Sequence, residues 1–145
     1  MSIVVSALDP AVERVVHRAW VADDAGEPLR CCLRDHLVGE RVALVSVIPP
    51  GPVGAYAERG PVFVHADACH GPSSAGYPDE WRTRTQIFRA YDEQGRICGG
   101  EIVEPGDQQE AIAERLLAQP GVAFLQGRNV VYGCYMLTMR RSDDT

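Results

Sequence analysis

Proline and glycine interrupt the apolar segments of this chain at short intervals, and this spacing constrains the fold more than any other feature. The longest uncharged stretch, residues 42–57, is broken by Pro49-Pro50 and Gly51-Pro52. A membrane-spanning helix needs about 20 consecutive apolar residues, and proline disrupts the interior of a helix. We therefore expect short elements in a chain that does not cross a membrane.

Most of the apolar segments have the length of a β-strand. Residues 41–48 are apolar on both faces, which predicts a central strand of a sheet. Residues 83–91 and 96–103 flank a turn-like sequence with a glycine and predict a β-hairpin. Further strands are predicted over residues 3–7, 15–22, 61–66, 122–126 and 130–139, with the last two joined around Gly127-Arg128-Asn129.

One segment, residues 108–118, predicts a clear α-helix. Asp107 and Glu110 have the spacing of a capping box, and Pro120 ends the apolar pattern. A second, brief helix is predicted to begin at Asp9-Pro10. The expected fold is thus α+β: one domain over residues 1–145, mostly antiparallel β-sheet with one or two helices packed on one face, and a frayed tail at 140–145.

Composition excludes several classes of function. The formal net charge of −6 argues against nucleic-acid and membrane-surface partners. All 14 basic residues are arginine, so Schiff-base chemistry on a lysine is excluded. The five cysteines are an odd number and follow no secretory signal. This pattern predicts reduced thiols and a cytoplasmic location.

The segment Gly60-Pro61-Val62-Phe63-Val64-His65-Ala66-Asp67-Ala68-Cys69-His70 carries the densest chemistry in the chain. On an extended strand alternate side chains share a face, so His65, Asp67 and Cys69 are predicted to project together. With His70 they form a set of imidazole, carboxylate and thiol groups. We therefore expect a functional site at the end of this strand.

Three interpretations of this segment remain open. His65, Cys69 and His70 are ligand types for zinc or iron, although their spacing matches no standard zinc signature. His65 could instead act as a general base oriented by Asp67, with Cys69 as a nucleophile. The third interpretation is structural: His65 is a hydrogen-bonded residue and Cys69 a small buried one.

A second set of polar residues lies near the C-terminus. Arg128 and Asn129 precede a predicted strand on which Tyr132 and Cys134 share one face with Met136 and Thr138. Such a mixed face suits the wall of a pocket, and the alternative is a central strand buried on both sides. Arg30 and Arg128 are candidates for a fork that holds a carboxylate or phosphate.

The adjacent Cys31-Cys32 pair also has two interpretations. A redox pair would be strained, because neighbours on a strand point to opposite faces. We therefore favour two small buried side chains.

These observations support three functional hypotheses. The first is a small-molecule binding protein, its ligand anionic in one version, with one pocket formed by both sets of residues. If that pocket is catalytic, the residues involved are His65, Asp67, Cys69 and Cys134, and Arg30, Arg128, Asn129 and Tyr132 bind the ligand. The second is a metal-binding protein that uses His65, Cys69 and His70. The third is a non-catalytic interaction protein or homodimer. No cofactor follows from the sequence, and whether the protein is an enzyme stays open.

Three segments together resemble an uncharacterised bacterial family, the domain of unknown function numbered 1203. They are residues 29–35 with the following Gly39-Glu40-Arg41-Val42, residues 55–65, and residues 128–135. The resemblance extends over nearly the whole chain from Leu29 onward. It implies one intact domain and no particular activity, cofactor or catalytic residue.

Overall fold

A computed structural model of the protein describes residues 2–144, and it contains two five-stranded β-sheets and one α-helix. The mostly antiparallel architecture predicted from the short apolar segments is confirmed. Among residues 2–144, no helix combines the length and apolar character that a bilayer span requires.

Sheet I carries the helix. Its strands are β1 (Ile3–Ser6), β7 (Gln86–Tyr91), β8 (Ile97–Val103), β9 (Phe124–Asn129) and β10 (Tyr135–Arg141). They lie in the order β1-β10-β9-β7-β8, and every pair is antiparallel. Helix α1 (Gln109–Leu117) buries Ala113, Leu116 and Leu117 in a core shared with Phe88 and Leu125. The helix therefore covers one face of sheet I.

Sheet II contains the remaining strands: β2 (Arg14–Val21), β3 (Pro28–Leu29), β4 (Arg34–Asp35), β5 (Arg41–Val47) and β6 (Gly60–His65). Their order is β2-β5-β6-β3-β4. Strand β5 lies between β2 and β6, which confirms its predicted central position. The β3–β6 pair is parallel and rests on one register position, Leu29 opposite Phe63.

Two helix predictions need correction. No helix forms at Asp9-Pro10. There the Asp9 carboxylate accepts the Ala11 N–H at 2.8 Å, which closes a turn just before β2. Helix α1 begins at Gln109, one residue later than predicted, and its N-cap is Gln108 instead of Asp107. The Asp107 carboxylate accepts the Glu104 N–H at 2.8 Å and is therefore used by the preceding turn.

The C-terminal hairpin turns later than predicted. Gly127, Arg128 and Asn129 belong to β9, and the turn comprises residues 130–134. Asn129 closes this turn through its own backbone: its N–H donates to Cys134 O at 2.9 Å, and its carbonyl accepts the Gly133 N–H at 3.1 Å. Gly133 has φ +75°, a backbone conformation that favours glycine. The apolar Val130-Val131 pair therefore lies in a turn despite its strand propensity.

The predicted tail is also shorter. Arg140 and Arg141 pair with β1 as the last residues of β10, and residues 142–144 form a short 3-10 helix. Thr145, the end of that predicted tail, lies outside the described residues.

Candidate functional site

Strand β6 ends at His65, and the chain bends over residues 66–67. Val62 and Val64 are buried on the strand, so the alternation of its side chains leaves His65 half-buried at the strand terminus. His65, Asp67 and Cys69 all line one cavity, but the predicted shared strand face is wrong, because Asp67 and Cys69 lie in the loop beyond the strand. Cys69 nevertheless returns to His65 through this loop.

Cys31 and Cys32 come to the same histidine from a turn. Leu33 has φ +58°, and its N–H donates to Leu29 O at 2.9 Å, which closes the turn between β3 and β4. In this turn both sulfurs lie on the same side: Cys31 Sγ is 3.5 Å and Cys32 Sγ 3.8 Å from His65 Nδ1. The strand geometry assumed for this pair, with side chains on opposite faces, is therefore wrong. Both cysteines are buried as expected.

Together these elements form a four-residue cluster. One donor atom each from Cys31, Cys32, His65 and Cys69 lies within 4.8 Å of the other three. Cys31 and Cys32 are buried, whereas His65 and Cys69 are half-buried. All five cysteines of the chain are free thiols. Three of them have thus been brought together from two separate segments without a disulfide bond.

The three thiols of the cluster differ in pKa. A hydrogen bond with Cys32 and, as a second cause, burial raise the pKa of Cys31 well above its usual value. The same hydrogen bond lowers the pKa of Cys32. Burial raises the pKa of Cys69. Because the thiolate is the form that binds metals and acts as a nucleophile, Cys32 is the thiol of the cluster best prepared for either role.

The outer nitrogen of His65 is held by Glu40. Glu40 Oε2 lies 2.9 Å from His65 Nε2, and Arg34 Nη2 lies 3.3 Å from the same nitrogen. The ionised Glu40 carboxylate can only accept a hydrogen bond, so the 2.9 Å contact favours the tautomer in which Nε2 carries the proton and donates a hydrogen bond to Glu40. In that tautomer Nδ1, which faces the cysteine sulfurs, is the unprotonated nitrogen.

Glu40 is itself fixed by its neighbours. Arg34 donates to both carboxylate oxygens, at 2.8 and 2.7 Å, and the Leu37 N–H donates to Oε1 at 2.7 Å. The Arg34 guanidinium holds the pKa of Glu40 far below its usual range. Glu40 therefore remains an ionised acceptor that orients the imidazole, the arrangement found around metal-binding histidines.

Other predicted residues lie beside the cluster without joining it. Asp67 pairs with Arg41 at 3.2 Å in an exposed salt bridge, so Glu40 and not Asp67 orients His65. His70 is exposed and lines a cavity of about 370 Å³ next to the cluster. Of the three predicted metal ligands, His65 and Cys69 belong to the cluster and His70 does not. Cys31 and Cys32, which were not predicted as ligands, complete it.

The C-terminal set of residues lines a different cavity. Arg128, Tyr132 and Cys134 surround about 200 Å³ of space beside the start of β6. Among the described residues, none lines both this cavity and the one at His65. The predicted shared pocket is therefore wrong, because the two sets of residues lie at opposite ends of β6.

The remaining predicted ligand-binding residues have structural contacts. Asn129 lies at the end of β9 and forms the backbone hydrogen bonds of the following turn. Arg30 is buried and donates from Nε to Tyr135 O at 2.7 Å and from Nη1 to Pro28 O at 2.5 Å. Arg30 is thus hydrogen-bonded to Tyr135, which lines the C-terminal cavity.

Comparison with known proteins gives one result. A family model described as "Protein of unknown function (DUF1203)" matches residues 26–141 of the 145 residues. The chain belongs to the DUF1203 family. The part matched by the DUF1203 model contains the Cys/His cluster, Glu40 and Arg128, whereas β1 and β2 precede it. A search of curated proteins and a search of solved structures each returned no match.

Proposed function

We propose that this member of the DUF1203 family binds one thiophilic divalent metal ion, with zinc preferred, through Cys31, Cys32, His65 and Cys69. The observation that carries the proposal is the approach of four donor atoms to within 4.8 Å of one another. Three sulfurs and one imidazole nitrogen form a common structural zinc set. Magnesium and calcium prefer oxygen ligands, so the donors argue against both ions.

The distances suit tetrahedral coordination. With Zn–S bonds of about 2.3 Å and Zn–N bonds of about 2.0–2.1 Å, sulfur and nitrogen ligands lie roughly 3.6 Å apart. Cys31 Sγ and Cys32 Sγ lie 3.5 and 3.8 Å from His65 Nδ1. The widest separations, below 4.8 Å, need to contract by about 1 Å, since sulfur ligands of tetrahedral zinc are roughly 3.8 Å apart.

The tautomer of His65 supports the same proposal. A histidine ligand binds metal through an unprotonated nitrogen, and its other N–H usually donates to a carboxylate or carbonyl group. Glu40 is positioned as that acceptor at 2.9 Å from Nε2. Nδ1 is therefore the ligand atom, and it is the nitrogen that faces Cys31 and Cys32.

The role that fits this donor set is structural. Four protein ligands complete a tetrahedral site and leave no open position for a substrate. The metal would join the β3–β4 turn to the end of β6 and to the loop of Cys69. Strands β3 and β4 have only two residues each, so few backbone hydrogen bonds hold this edge of sheet II. Reduced thiols agree with the cytoplasmic location predicted from the sequence.

Elemental analysis of protein purified without an affinity tag tests the proposal. We expect about one equivalent of zinc per chain, and a Cys69→Ser variant should lose most of it. Cys98→Ser and Cys134→Ser are matched controls, because both residues lie outside the cluster, and they should keep the metal.

Less than about a tenth of an equivalent of any transition metal in the wild-type protein, together with no uptake from added Zn²⁺, would refute the metal site. Cobalt gives a second readout in case Cys69→Ser folds poorly. Co²⁺ added to metal-free wild-type protein should produce the intense visible absorption of tetrahedral thiolate coordination. A pale octahedral spectrum contradicts the proposal.

A further inference from the structure

We infer that the cavity beside the start of β6 binds a small oxyanion, a carboxylate or a phosphate group, through Arg128. This site is separate from the proposed metal site. The cavity holds about 200 Å³, less than the roughly 300–1,000 Å³ typical of sites for drug-sized molecules. Its volume therefore selects a small ligand or a single anionic group.

Arg128 has donors to spare in a buried position. A guanidinium carries five N–H groups. In Arg128, Nε and Nη2 donate to Gln126 Oε1 at 3.0 and 2.6 Å, and Nη1 donates to Gly133 O at 2.8 Å. These bonds use three of the five groups and leave two N–H donors without an acceptor among the described residues. The side chain is only 6% exposed, so these donors are largely shielded from water.

Neutral acceptors hold Arg128 in place and leave most of its charge uncompensated. Gln126 and Gly133 contribute uncharged oxygens, and the nearest carboxylate oxygen, Glu58 Oε1, is 4.0 Å from Nη2. That same oxygen is bound at 2.8 Å by Arg89. Glu58 is also half exposed and screened by water, so it neutralises Arg128 only in part. A buried cation of this kind is stabilised by an anionic partner.

The surroundings add positive charge. Arg59 also lines the cavity, and Glu58 is the one acidic residue among the described lining residues. Buried Arg30 donates to the backbone carbonyls of Pro28 and of the lining residue Tyr135, and it forms no salt bridge within residues 2–144. Burial lowers the pKa of Arg30 to about 10, so it remains a cation at neutral pH. This local excess of positive charge contrasts with the formal net charge of −6 for the whole chain.

The rest of the lining suits a ligand that carries one anionic group. Val47, Pro61 and Val62 form an apolar wall, while Tyr132 and Cys134 contribute a phenol and a thiol. Tyr132 is 87% exposed on the turn after β9, at the mouth of the cavity. Apolar walls around convergent charged donors are typical of small-molecule sites.

Calorimetric titration of the full chain with inorganic phosphate and with succinate tests the inference. Ionic strength should be held constant with sodium chloride, because long-range attraction of anions is screened by salt. We expect saturable binding of at least one of the two anions. Phosphate binding alone identifies a phosphate group as the ligand class, and succinate binding alone a carboxylate. Absence of saturable binding for both anions overturns the inference.

Two substitutions with opposite expected effects on anion affinity make the test specific. Arg128→Gln should weaken binding at least about tenfold, because charge-assisted hydrogen bonds are lost. Glu58→Gln should strengthen binding about threefold or more, since it removes the competing carboxylate. A purely structural role for these residues predicts no gain from Glu58→Gln, so an unchanged or weaker affinity of that variant contradicts the site even where Arg128→Gln folds poorly.

Arg96→Gln is the matched control. Arg96 is exposed, and its side chain bonds Asp92 and Gln94 on the turn between β7 and β8. The affinity of this variant for the anions should equal that of the wild-type protein. A loss in Arg96→Gln as large as that in Arg128→Gln indicates attraction to net charge alone and refutes the cavity as the site.

Discussion

The two proposed sites lie at opposite ends of β6 and differ in chemistry. At its carboxyl end, polarisable thiols and an imidazole converge on a point that suits a soft cation. At its amino end, a buried guanidinium with unused donors suits a hard anion. The strand has six residues, so the two sites are roughly 17 Å apart along it. The two proposed sites share no lining residue among those described, although they lie on one short strand.

The comparison also separates two ways of holding a functional group. His65 is fixed by charged partners, Glu40 and Arg34, whereas Arg128 is fixed by neutral oxygens of Gln126 and Gly133. Charged partners keep the imidazole in one tautomer. Neutral partners orient the guanidinium and leave its charge available. The two sites should consequently respond independently to substitution, and three experiments test that contrast.

The largest effect is expected from removing the metal. Treatment of the wild-type protein with an excess of a strong chelator should destabilise it by about 3 kcal/mol and lower Tm by roughly 10 °C, because a ligand that binds only the folded state stabilises it. Differential scanning fluorimetry measures the shift. The control is Cys69→Ser, whose Tm should not respond to chelator. Phosphate or succinate affinity of the chelated protein should stay unchanged, and a parallel loss of anion binding would show that the two ends of β6 are coupled.

An intermediate effect is expected from Glu40→Gln. The amide keeps the size of the side chain and loses the charge that increases the basicity of His65, so zinc affinity should fall about tenfold, equivalent to roughly 1.4 kcal/mol. Competition with a chromophoric chelator measures the affinity. Asp67→Asn is the matched control, because Asp67 lines the same cavity but pairs with Arg41 instead of His65. Equal zinc affinities for the two variants would remove Glu40 from the site.

The smallest effect is expected from Gly133→Ala. The added methyl group has open space, so its cost of about 1 kcal/mol comes only from the positive φ of +75°. Because the Gly133 carbonyl holds Arg128, anion affinity should fall a few-fold while zinc content stays constant. Gly99→Ala is the control: φ is ordinary there, and a methyl group at this position would lie 3.8 Å from its nearest neighbour, the Ala90 side chain. Chemical denaturation would show whether Gly133→Ala costs more than Gly99→Ala, as the comparison requires.

Local sequence patterns predicted the elements that are determined by residues close together in the chain. The β7–β8 hairpin, helix α1 and the central position of β5 follow from apolar periodicity and turn residues within a few positions of each other. The turn at residues 130–134 escaped prediction because Val130 and Val131 have high strand propensity. Their exposure in the structure shows that the position of the hairpin is decided by Gly133 and the backbone of Asn129.

The composition of the cluster could be predicted only in part. His65 and Cys69 are close in sequence and were recognised from residue type. Glu40 reaches His65 through the antiparallel β5–β6 pair, in which Val42 lies opposite His65. Cys31 and Cys32 reach it only because β3 pairs with β6 in parallel and Leu33 adopts a positive φ. Neither feature has a strong local signal. The adjacent pair Cys31-Cys32, taken together with a predicted strand that ends close to His65, is the one sequence signal that could have suggested all four residues of the cluster.

The parallel pairing of β3 with β6 has a consequence for the order of folding. Leu29 and Phe63 are 34 positions apart, and the pair they form belongs to a strand of only two residues. Closing that loop costs conformational entropy, and a strand of two residues forms few hydrogen bonds that offset this cost. The antiparallel β5–β6 pair, between strands that follow one another in the chain, can form earlier. We therefore expect the half of the cluster contributed by Cys31 and Cys32 to assemble late in folding and to be the part of sheet II that opens first.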